Sequence, residues 1–120
     1  MYESLTQHLD EIREIEDSVK PVLAVGYYDQ PAVFAWTEDL YKSGLADEDY
    51  VGTLERGRIN LDEGIEADAI AGLDSGLTLA ALTWICRGER FCEGSLAEAV
   101  ACGLVGDLLE HLKAIDPDHT

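Results

Sequence analysis

An all-α bundle is the fold class this sequence predicts, on three observations. Apolar residues recur at steps of three and four over most of the chain, which is the helical period. Capping residues and breakers, among them Ser4, Pro21, Gly44, Asp74, Gly88 and Gly103, stand where those runs begin and end. The one β-capable stretch, residues 22–28, has no second strand obvious to pair with. The expectation is a single domain, residues 1–120, of five or six helices with a short extended segment near residues 22–28.

The first helix is expected over Leu5 to Ser18. Ser4 and Gln7 match a capping box, and Leu5, Leu9, Ile12, Ile15 and Val19 follow at helical spacing. Pro21 ends it, because its ring breaks the hydrogen-bond ladder and disfavours helix at the preceding residue. Leu23, Val25, Tyr27 and Tyr28 around Gly26 read as extended chain packed on the helices, with a small hairpin as the alternative. Asp29 and Pro31 suit the orphan amides at the start of a second helix. Val33, Trp36, Leu40 and Tyr41 form its buried stripe, and Lys42 with Gly44 closes it.

From Ala46 to Glu66 the helical signal weakens. Asp47 caps a short helix through Leu54, and a loop follows that carries Gly57, Asn60 and Gly64. A turn at Glu66 to Ala71 leads to Asp74 and Ser75, the caps of a long helix with Leu77, Ala80, Ala81, Trp84 and Ile85 on one side. Gly88 breaks it. The next helix starts either near Arg90, burying Phe91, or at Ser95, whose spacing to Glu98 matches a capping box; Gly103 ends it in both cases. The last helix, Leu104 to Ile115, carries Val105, Leu108, Leu109, Leu112 and Ile115 as a seam wide enough for bundle packing, and the tail from Pro117 is expected to fray.

Charge bounds the environment. The chain has 25 acidic and 8 basic residues, a formal net charge of -17, and three of the basic residues are lysines. In dilute salt such a density pushes the compact state apart, whereas molar salt shrinks the Debye length to about 3 Å and silences the repulsion. The composition points to the cytoplasm of a salt-in halophile. Disorder does not fit, because 47% of residues are apolar, with two Trp, five Tyr and two Phe to build a core. No basic segment precedes an apolar run at the N-terminus, and no stretch nears the roughly 18 apolar residues of a membrane helix, so neither export nor a membrane role is expected. Direct nucleic-acid binding is not expected either, for want of a basic footprint.

Cys86, Cys92 and Cys102 are unevenly spaced and His8, His111 and His119 are scattered, unlike the clusters of zinc sites. No metal and no cofactor is implied, and the thiols read as free and largely buried. The acidic groups at Asp10, Glu11, Glu14 and Asp17, and at Asp47, Glu48 and Asp49, read as hydrated surface rather than an oxygen cage for a cation.

One stretch looks like a signature. Leu82 to Leu96, centred on Arg87-Gly88-Glu89-Arg90-Phe91-Cys92-Glu93-Gly94 and followed by Gly103 and the run Leu108, Leu109, Leu112 and Lys113, resembles an uncharacterised prokaryotic family, domain of unknown function 6508, here in a halophilic archaeal version. Tyr28 to Gly44 is similar to that family too, while Ala46 to Glu66 departs from the Trp-containing acidic segment of its pattern. The resemblance implies a fold and no activity.

Read chemically, the corner assigns Phe91, Cys92 and Gly94 to structure: an inward ring, a packed thiol and a close helix approach. Arg87, Arg90 and Glu93 are the candidate partner-binding residues, since arginines are interface anchors and this chain has few cations. Arg90 and Glu93, three apart, also suit a local charge network. The leading expectation is a protein-interaction or accessory module with a protein partner, self-association included; no catalytic residue is assigned. Two other classes compete. One is a small enzyme using Cys92 as nucleophile or a carboxylate pair. The other is an acidic mimic of nucleic acid that occupies a basic protein.

Overall fold

Among the described residues, the apolar runs form helices packed on their neighbours. A computed structural model describes residues 2–16, 32–59, 65, 67–88, 99–100 and 102–116. Among them lie α1 (Glu3–Thr6), α2 (Leu9–Ile15), α3 (Ala32–Lys42), α4 (Tyr50–Arg56), α5 (Ala67–Ile70), α6 (Ser75–Gly88) and α7 (Leu104–Ile115). Ala99 and Val100 are also helical, and no strand occurs among the described residues. The fold is an all-α bundle. The expected extended segment at 22–28 lies outside the described residues.

The last helix supplies the centre. Val105, Leu108, Leu109 and Leu112 of α7 have no exposed surface, and burying each such side chain is worth roughly 1.5–3 kcal/mol. α6 packs along α7, α4 lies on the other contact of α6, and α1 and α2 bridge α3 and α7. Leu5, Ile12, Trp36, Leu40, Leu54 and Leu82 fill the space between them. Tyr2 closes the bundle at one end, where its backbone N–H donates to the buried Asp116 carboxylate at 2.8 Å and joins the two ends of the described chain.

The helix termini follow local chemistry. Asp74 caps α6 as expected, its Oδ1 accepting the Leu77 N–H at 2.8 Å. α4 ends with the Ile59 N–H on the Leu54 carbonyl at 2.9 Å and the Arg58 N–H on the Glu55 carbonyl at 3.0 Å. Arg58 takes the left-handed position of that turn, with φ of 63° where glycine is the usual residue.

Three expectations are corrected. The first helix is not continuous from Leu5 to Ser18: it breaks at Gln7–His8 between α1 and α2, where the Gln7 and His8 side chains both turn to Asp39 of α3. Ser4 sits inside the first turn, so its capping box does not form, and the Tyr2 carbonyl accepts the Leu5 and Thr6 N–H groups instead. Tyr41 is 45% exposed rather than part of the α3 stripe. At about 100° per residue it lies roughly 140° around the helix from Trp36, while Leu40 lies only about 40° away.

Candidate functional site

Of the three candidate partner-binding residues, Arg87 is described, on the last turn of α6. Arg90 and Glu93 lie outside the described residues, as do Phe91, Cys92 and Gly94 of the same corner. Thr83 stands one helical turn before Arg87 and shares its face. It is fully buried, and its hydroxyl donates to the Leu79 carbonyl at 2.8 Å while accepting the Asp47 N–H at 3.0 Å. That second bond fastens the loop after α3 to α6.

The loop is shaped by Gly44. With φ of 75°, it reverses the chain so that the Ala46 N–H reaches the Leu40 carbonyl at 3.1 Å. Asp47 Oδ1 then accepts the Asp49 N–H at 2.9 Å, an Asx turn that leads into α4. Between the loop and α6 lies a pocket of about 320 Å³ lined by Tyr41, Asp47, Glu48, Thr83 and Arg87, together with Gly44 and Ala46.

Arg87 is held there without being neutralised. Its guanidinium carbon lies 5.7 Å from the centroid of the Tyr41 ring, within cation–π range. Its Nε is buried and has no hydrogen-bond partner. It makes no ion pair with the Asp47 and Glu48 carboxylates of the same pocket, which stay beyond 4.0 Å. A buried donor left in that state costs roughly 1–3 kcal/mol.

Other polar clusters are internally satisfied. Arg13 on α2 reaches Glu16, Asp107 and Glu110, each at 2.7 Å, and so ties α2 to α7. Burial opposes its charge, but hydrogen bonds to Asp107, Glu110 and Glu16 outweigh that and hold the guanidinium well above its ordinary pKa. Gly106 makes the seat: a Cβ there would collide with Glu16 Oε1 and come within 2.7 Å of Arg13 Nη1. His8 Nε2 lies 2.6 Å from Asp39 Oδ2, and His111 Nε2 lies 2.7 Å from the Leu73 carbonyl.

The thiols divide. Burial pushes Cys86 up to about 12 from an ordinary 9.0, with the neighbouring Arg87 charge opposing only in part, so it stays a protonated, unreactive thiol at neutral pH. Cys102 is exposed, which corrects the expectation that the cysteines are packed away; its Sγ contacts the Ala99 carbonyl at 3.5 Å at the turn before Gly103. Among the described residues no group of three or more His, Cys, Asp or Glu could hold a metal ion. None of the described helices is long and apolar enough to cross a membrane.

Helices crossing around α7, with a polar corner at the end of α6, define a small all-α domain. Residues 3–118 match the family model described as a family of unknown function, DUF6508, and the chain belongs to that family. No curated protein and no solved structure matches it.

Arg87 was legible in the sequence; its surroundings were not. Tyr41 looks like one more apolar position on a helix, and Thr83 is an unremarked polar residue between Leu82 and Trp84. The angular position of Tyr41 outside the Trp36–Leu40 stripe is the signal that would have placed it on the surface.

Proposed function

We propose that this domain is an accessory interaction module of a high-salt cytoplasm, and that the Arg87 pocket is its recognition point. The observation that carries the reading is an arginine with a buried, unpartnered Nε and no ion pair among the described residues, in a chain of net charge -17. Arginines held against an aromatic ring at a partly desolvated position are typical binding anchors, because little of their freedom is lost when a partner arrives. The high-salt part is supported by the charge itself, whose repulsion needs screening.

The test is capture by the tagged domain from a halophile extract in molar KCl, followed by titration of the purified partner. Arg87→Met and Tyr41→Ala should weaken that partner about tenfold or more with the melting temperature unchanged. A partner held equally well by both variants contradicts the assignment. For the environment, helical circular dichroism and melting temperature should rise from dilute buffer to molar KCl, and equal values at both ends would refute it.

A further inference from the structure

The pocket at Arg87 holds charges of both signs that do not cancel each other. Arg87 enters from α6 and Asp47 and Glu48 from the loop, in a space of about 320 Å³, with no ion pair closing between them. A ligand bearing only a carboxylate would gain Arg87 and face two like charges. One bearing only an ammonium would gain the carboxylates and face the guanidinium. A molecule with both groups answers the whole lining.

We infer that the pocket takes a small zwitterion, a free α-amino acid, with its carboxylate on Arg87 and its ammonium between Asp47 and Glu48. This rests on the proposed recognition role of Arg87 and adds the chemistry of what it recognises. The guanidinium is a planar fork that matches a carboxylate in two hydrogen bonds, which its two terminal nitrogens, in no ion pair with the described residues, are the ones to make. The Tyr41 ring lies beside the fork, its centroid 5.7 Å from the guanidinium carbon. On the loop, Asp47 Oδ1 is occupied by the Asp49 N–H, which orients the carboxylate and leaves Oδ2 for the ammonium. The Thr83–Asp47 hydrogen bond at 3.0 Å sets the spacing between the two charged walls before any ligand arrives. The volume is near the lower end of small-molecule sites, about 300 Å³, which suits one amino acid and not a folded peptide.

The experiment is calorimetric titration of the purified protein in molar KCl with L-alanine and L-leucine, each beside its acid-only and amine-only analogue: propionate and n-propylamine, 4-methylpentanoate and isoamylamine. At least one amino acid should bind saturably, and both of its single-charge analogues should bind at least about tenfold more weakly. Arg87→Met, and separately Glu48→Gln on the exposed side of the loop, should each weaken the amino acid by about tenfold or more with unchanged melting temperature. An analogue that binds as tightly as its amino acid overturns the inference, as does the absence of saturation by either amino acid up to about 50 mM. If titration fails in that way while Arg87→Met still releases a protein partner, the interaction reading stands and only the zwitterion falls. If the partner is also retained, both fall.

Discussion

Arg13 and Arg87 are the same residue type in two opposite states. Arg13 is surrounded by three carboxylates at 2.7 Å and locks two helices together. Arg87 lies against one aromatic ring and keeps a buried N–H unused. The first arrangement completes itself within the fold, so its loss is felt as stability. The second is incomplete without something from outside, so its loss is felt as binding. In a chain with 8 basic residues, leaving one unneutralised beside two acids is a costly arrangement for a structural role and a natural one for recognition.

The contrast can be broken at either arginine. Arg13→Ala should have the largest effect, about 2 kcal/mol of stability, because it leaves Glu16, Asp107 and Glu110 facing one another; urea unfolding at fixed KCl measures it, and a loss near zero would mean the three bonds add nothing. Gly106→Ala should come next. Alanine favours a helix over glycine by about 1 kcal/mol, yet the added Cβ evicts the Arg13 and Glu16 side chains, so a net loss of about 1 kcal/mol is expected and a net gain would show that the seat is loose.

A third arginine sharpens the comparison through its backbone rather than its charge. Arg58→Gly should stabilise the protein by about 0.5–1 kcal/mol by relieving the left-handed position at the end of α4, a gain measured by the same unfolding curves. Unchanged or lower stability would place the strain elsewhere. The smallest effect on stability belongs to Arg87→Met, less than about 0.5 kcal/mol, since relief of the unpartnered Nε offsets the lost contact with the Tyr41 ring and methionine keeps the apolar stem.

How far these features could be read from sequence depends on how local their cause is. The seam of α7 and its bounds, Leu104 to Ile115, follow from spacing and Gly103 alone, and the Asp74 cap of α6 from the residue type at one position. The break at Gln7–His8 was not legible, because its cause is Asp39, some thirty residues away in sequence. The Arg13 cluster joins α2 to α7 for the same reason: acids on two helices look like hydrated surface until the fold brings them together. At the site, the sequence singles out Arg87 by its corner, whereas Tyr41, Asp47 and Thr83 become its neighbours only through the Gly44 reversal and one hydrogen bond. Arg90, Phe91, Cys92, Glu93 and Gly94 lie outside the described residues.

The claim that Arg87 is poised for a ligand while Arg13 is not can be read from two resonances. In a nitrogen–proton correlation spectrum of the arginine side chains, recorded in molar KCl at slightly acidic pH to slow exchange, L-alanine is added stepwise. The account predicts that the Arg87 Nε–Hε resonance, assigned by its loss in Arg87→Met, shifts saturably as its guanidinium binds the carboxylate, while that of Arg13 stays fixed. An Arg87 signal that never moves with alanine or leucine, or an Arg13 signal that moves with it, would contradict the division of the two.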